Sequence, residues 1–109
     1  MDSQKCNSPE CKFTSKCRVE KELIKKISLD TGAKITYTLY ECRLASNNEY
    51  NIDASRPLYS IEVTNETTAE SSYLCCVSAE IKYAKELLSK LHRNLVMPFE
   101  LKEIYAEIT

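Results

Sequence analysis

Between Ser78 and Ile108 apolar residues return at helical spacing. Ile81, Ala84, Leu88 and Leu91 form one stripe, widened by Leu87, while Lys82, Lys85, Glu86 and Lys90 take the opposite side. Ser78 can cap this helix by accepting an N–H from its first turn. Asn94 suits the left-handed residue that ends a helix, with Leu95 folding back on the last turn. Pro98 suits the first position of a second helix, where its missing N–H costs nothing. Leu101, Ile104, Tyr105 and Ile108 then make a second stripe. The pattern predicts two amphipathic helices joined by a tight corner.

Upstream the period shortens to two. Val19, Leu23, Ile24 and Ile27 would fit a helix, and Leu23, Ile27 and Leu29 would fit a strand. The hairpin chemistry of Asp30-Thr31-Gly32 decides for a strand over about 22–29, because Gly32, the only glycine, can take positive φ. Ile35, Tyr37 and Leu39 then alternate with Thr36, Thr38 and Tyr40. Past Tyr40 the apolar positions move to Cys42 and Leu44, which predicts a bulge near Glu41. Pro57 opens a strand in which Tyr59, Ile61 and Val63 face inward against Ser60, Glu62 and Thr64. Residues 72–77 are apolar on both faces, the mark of a strand that is central or covered twice. The segments 45–56 and 65–71 are polar connections. Residues 1–17 show no periodicity and read as a mobile arm, leaving 18–109 as a single domain. Strands followed by helices define an α+β fold: an antiparallel sheet of about four strands, then a C-terminal helix-corner-helix packed on one face.

Three blocks, ITYTLYECRL, LYSIEVT and AKELLSKLHRNLVMPFELKEI, resemble a family of small uncharacterised clostridial proteins that share a domain of unknown function. The resemblance covers about residues 19–109. Asn94 and Pro98 match the family's polar corner, whereas Met97 stands where a small capping residue is usual, which implies a loosely held second helix. The resemblance implies a bacterial cytosolic domain and brings no activity with it.

Charge changes this picture little. The net charge is −1, with eight Lys/Arg against five Asp/Glu in residues 1–34, two against six in 35–77 and five of each in 78–109. So small a basic surplus argues against a nucleic-acid partner. No apolar run approaches the roughly 18 residues of a membrane span, and the N-terminus lacks the apolar stretch of a signal peptide. The expectation is a cytoplasmic protein, in which Asn65-Glu66-Thr67 is a chance match to a glycosylation sequon.

Six cysteines are the compositional oddity. In a reducing compartment they should be free thiols, metal ligands or redox groups. Cys6, Cys11 and Cys17 offer three thiolates, with Cys42 as a conceivable fourth, but their spacing departs from the paired knuckles of structural zinc. Cys75 and Cys76 point to opposite faces of a strand and read as small buried hydrophobes. His92 ends a helix beside Arg93, where a cation is favourable, so no Cys–His nucleophilic pair is implied. The acids Glu100, Glu103 and Glu107 sit on a solvated helix face with nothing to tune them for proton transfer.

Tyr37, Tyr59, Tyr73 and Tyr105 fall on core-facing positions, while Tyr40 and Tyr50 do not. Tyr40, Leu74 and Cys76 are the candidate binding surface, on a sheet face that one layer of helices leaves open. The expectation is a noncatalytic protein-interaction or regulatory module, without a cofactor, whose partner is another protein or a second copy in a homodimer. The alternative is a metal- or redox-responsive protein acting through the N-terminal cysteines.

Overall fold

The computed structural model describes residues 4–5, 17–30, 32–44 and 57–108. Five strands come first: β1 (Gln4–Lys5), β2 (Cys17–Asp30), β3 (Ala33–Leu44), β4 (Leu58–Asn65) and β5 (Glu70–Ser78). Helix α1 (Ile81–Arg93), a 3₁₀ turn (Pro98–Glu100) and helix α2 (Leu101–Ile108) follow. The strands form one antiparallel sheet in chain order, each beside its predecessor. Both helices lie on one face, so the α+β reading holds. Three described residues of the expected arm belong to the sheet: Gln4 and Lys5 pair with Val19 and Arg18, and Cys17 opens β2 opposite Leu44. Residues 6–16 and the connection 45–56, with Tyr50, lie outside the described residues.

The predicted alternation places the core. Ile35, Tyr37 and Leu39 of β3, Tyr59, Ile61 and Val63 of β4, and Leu74 of β5 are buried under Ala84, Leu87, Leu88 and Leu91 of α1 and Leu101 of α2. Gly32, at φ +86°, supplies the positive dihedral that the β2–β3 turn demands. The expected bulge near Glu41 sits on the opposite strand. Register slips on β2 between Val19 and Lys21 and between Glu22 and Ile24, whereas β3 pairs with β4 without interruption from Ile35 to Cys42. Cys42 therefore keeps the phase of Tyr40 and is buried on the face away from the helices. Its apolarity reflects that burial and not a change of phase.

β5 is a further correction. Apolar on both sides, it was expected to be central, yet it is the outermost strand at its end of the sheet. Its double burial comes from Leu74 on the helix side and Tyr73 on the other.

The corner between the helices differs from expectation in detail. Asn94 has φ −93°, and the left-handed residue is Leu95 at φ 48°. The Leu95 N–H donates to the His92 carbonyl at 3.2 Å and the Val96 N–H to the Leu91 carbonyl at 3.1 Å. This is a Schellman closure, completed by burial of both Val96 and Leu91. The Asn94 side-chain amide donates to the Lys90 carbonyl at 2.7 Å. Ser78 does not cap α1. Its hydroxyl accepts the Glu80 N–H at 2.9 Å in a turn ahead of the helix. Met97 does precede the second helical segment without a capping oxygen, but the Glu100 carboxylate reaches back to accept its N–H at 2.9 Å.

Two predictions test this core. Leu88 is fully buried at the centre of the helical stripe, so Leu88→Ala should cost about 2–5 kcal/mol in chemical denaturation. A loss under about 0.5 kcal/mol, the size of an ordinary surface effect, would put the stripe in solvent. Tyr37 is the second probe. Burial, aided by the Glu100 charge, pushes its phenol from 10.0 up to about 12. A raised acid keeps its stabilising contribution below the unfolded value and loses it as pH rises, here between 10.0 and about 12. Tyr37→Phe should make the fall in stability across that window shallower. At neutral pH it should cost about 1–3 kcal/mol, because the Val96 carbonyl is left without its donor. Equal slopes for the two proteins would refute the assignment.

Candidate interaction surface

The sheet face away from the helices carries the residues expected there, but it is not bare. Thr36, Thr38, Cys42 and Ser60 are almost wholly buried. Short side chains on the middle strands are flanked by neighbours in register: Thr36 lies between Ile27 and Thr64, and Thr38 between the longer Lys25 and Glu62. The Tyr40 hydroxyl donates to Glu62 Oε1 at 2.9 Å, and the Ser71 hydroxyl donates to Glu62 Oε2 at 3.0 Å. Burial and the adjoining Glu62 carboxylate raise the Tyr40 phenol well above its ordinary range. Its ring also rests 6.1 Å from that of Tyr73. Tyr40 is thus an internal tie of this face. Leu74 is corrected outright: it pairs with Ile61 and points into the helix-covered core. The β4–β5 register puts it on the opposite face from the one expected. The side chain of Cys76 lies outside the described residues.

The chemistry-bearing side chains are dispersed. Cys42 is a buried thiol outside any disulfide, 3.2 Å from the Ser60 hydroxyl and 3.9 Å from that of Tyr73. His92 is on the other side of the sheet, its ring 5.5 Å from that of Tyr37 in an edge-to-face contact and its Nε2 3.4 Å from the Ile27 carbonyl. The sheet therefore separates the histidine from the thiol. Among the described residues no three His, Cys, Asp or Glu side chains gather as a metal cage. Cys6 and Cys11, and the side chain of Cys17, lie outside them. Cys75 corrects the sequence reading, being disulfide-bonded where a reduced, purely apolar side chain was expected.

Among the described residues Ile27 and Leu29 are exposed at the β2 end of the face away from the helices, and Ile81, Tyr83 and Phe99 are exposed elsewhere. Phe99 is 77% accessible. It shares a groove of about 390 Å³ with Glu70, Ser71, Ser72, Pro98 and Lys102. This groove runs beside the start of β5, at Glu70, Ser71 and Ser72, within the run Glu70–Leu74 that pairs regularly with Asn65 to Ile61 of β4. Beyond Leu74 the register breaks. A second groove of about 330 Å³, between the end of α1 and α2, is lined by Leu91, Val96 and Ile104 with Lys90, Glu100 and Glu107. Its Glu100 is already engaged with the Met97 N–H.

The two margins of the sheet differ. β2 is partly covered by β1 and carries Lys21, Lys25 and Lys26 with two register slips, the usual protection of an edge. β5 contains no Lys, Arg, Pro or Gly, and its one charge is Glu70 at its start. The sequence reading missed this surface. The available signal was Phe99 itself, an aromatic outside the Leu101/Ile104/Tyr105/Ile108 stripe.

A family model described as a family of unknown function (DUF6514) matches residues 12–109. The match begins before the boundary expected near residue 19, so Cys17 falls within it while Cys6 and Cys11 precede it. No curated protein and no solved structure matches the chain. No helix among the described residues is long and apolar enough to cross a membrane.

The cysteine assignments are open to peptide mapping without reduction. Cys75 should be recovered in a cross-linked peptide, with fragmentation distinguishing it from Cys76. Cys42, buried and outside any disulfide, should alkylate only after unfolding, as an inaccessible thiol must. Alkylation of Cys75 in the folded, unreduced protein would remove the bond.

Proposed function

We propose that this chain, which belongs to the DUF6514 family of unknown function, is a noncatalytic protein-interaction module of the bacterial cytosol. It works through the outer edge of β5. One observation carries the reading: an unguarded run of regular strand, Glu70–Leu74, lies beside the exposed ring of Phe99 in an open groove. An edge strand offers unpaired backbone donors and acceptors to any extended segment, and a flanking aromatic supplies the anchor. On the other face Tyr40, Ser71 and Glu62, and Cys42 and Ser60, are spent on one another, and its exposed Ile27 and Leu29 stand on the lysine-bearing strand β2.

A second reading, a redox-responsive protein, draws on the Cys75 disulfide. A persistent structural disulfide does not suit a reducing cytosol, so a bond that opens and closes there would be regulatory.

Site-specific photo-crosslinking in the native host tests the interaction reading. A photoreactive phenylalanine analogue replacing Phe99 should give discrete adducts on irradiation, and the same analogue replacing Lys25 on β2 should not. Equal yields at the two positions, or none at position 99, would defeat it.

A further inference from the structure

We infer that the partner received by the β5 edge is a second copy of this chain, paired antiparallel about a two-fold axis at Ser72. This rests on the reading of that edge as the interaction surface and names its occupant. Three features of the edge fit a second copy better than a foreign strand. The first is the length and position of the regular run. Pairing is uninterrupted from Glu70 to Leu74 and irregular beyond, so an axis at Ser72 uses the whole regular segment and nothing else. Glu70 then faces Leu74 of the second copy, and Ser71 faces Tyr73.

The second feature is the position of Phe99. It lines the groove beside Glu70, Ser71 and Ser72, the residues around the proposed axis. A two-fold there brings the two exposed rings together on the helix side of the joined sheet, each covering apolar surface that the other leaves in water. A lone extended peptide would hydrogen-bond to the edge and still leave Phe99 half-covered. Self-complementarity of this kind is what a two-fold interface requires.

The third feature is charge. One acid, Glu70, and one base, Lys102, line the same groove. Each copy therefore brings one charge of either sign to the interface, with no excess of one sign to oppose association. The net charge of −1 adds almost no repulsion between copies. The result is a continuous sheet through two protomers, with the guarded β2 margins at its far ends. An interface of five residue pairs and two aromatic anchors is small, and it implies a dimer that dissociates in the micromolar range, as weak interfaces of limited area do.

The experiment compares three full-length proteins by light scattering and sedimentation across a concentration series, with amide hydrogen exchange at its two ends. The wild type should pass from monomer to dimer, and protection gained on association should fall in residues 70–74. Phe99→Glu places two like charges across the axis and should weaken association about tenfold or more, with unfolding unaffected because the side chain is exposed. Leu29→Glu, at an equally exposed apolar residue on β2, should associate like the wild type. A wild type that stays monomeric at high micromolar concentration overturns the inference, and crosslinks from position 99 to other proteins would then keep the interaction reading alive. A dimer whose new protection lies outside β5, or which Leu29→Glu breaks and Phe99→Glu does not, overturns both the axis and the surface.

Discussion

A buried phenol must find an acceptor, and where Tyr37 finds one determines how the helices meet the sheet. Its side chain leaves the middle strand on the helix face, fully enclosed, and its hydroxyl donates to the Val96 carbonyl at 3.0 Å. Val96 is the residue whose own N–H closes α1 by reaching back to Leu91. One residue is thus bonded on one side to the first helix and on the other to the centre of the sheet. An unpaired phenol in that position would cost about 1–3 kcal/mol, so the bond selects against other placements of the corner. It also makes Leu95 tolerable at φ 48°, a conformation that costs an ordinary side chain about 1–2 kcal/mol. Two residues later Pro98 starts the 3₁₀ turn that leads into α2, so the second helix inherits its position from the same anchor.

With both helices held on one side, the remaining face must, among the described residues, be satisfied without a second layer. It is, by polar side chains that bond across strands. Glu62 accepts from Tyr40 and Ser71, Thr64 and Ser71 lie 3.3 Å apart, and Cys42 sits against Ser60. Among the described residues only the Thr36 hydroxyl is buried there without a partner. The expected patch loses Leu74 to the helix side through the β4–β5 register, and Tyr40 is tied to Glu62 within the face.

The helical stripes, the alternation in β3 and β4 and the Gly32 turn were legible because each is a local pattern of burial with a fixed period. The features that escaped are those where one residue type serves two physical ends. Cys42 is apolar enough to suggest a phase change, yet it simply continues the rear face of β3. Leu74 and Tyr73 suggest a central strand, yet a strand at the margin can be covered on both faces and remain open along its edge. Asn94 looked like the left-handed residue because asparagine tolerates that conformation well, but tertiary bonds to Val96 placed Leu95 there instead. Neighbouring strand order and long-range bonds decide such cases, and a single sequence does not record them. For the candidate surface the loss was nearly complete. Phe99 was visible as an aromatic off its stripe, but its proximity to Glu70–Ser72 exists only in three dimensions.

The two margins of the sheet show where association is opposed and where it is not. On β2, lysines at 21, 25 and 26 and two slips of register interrupt any incoming strand, and β1 occupies part of the edge. Desolvating a lysine beside a new strand, or pairing across a bulge, would offset the few backbone bonds gained. On β5 the only interruption is the break beyond Leu74, and the five residues before it are two serines, a tyrosine, a leucine and one terminal acid. Serines at such positions add little bulk and no charge, so a neighbouring strand can approach to bonding distance. Phe99 reinforces the difference, because its exposed ring adds apolar area beside the edge that would already pair. Ile27 and Leu29 expose apolar area on β2 as well, so it is the absence of lysines and the regular pairing of β5, with Phe99 beside it, that favour this margin over the other.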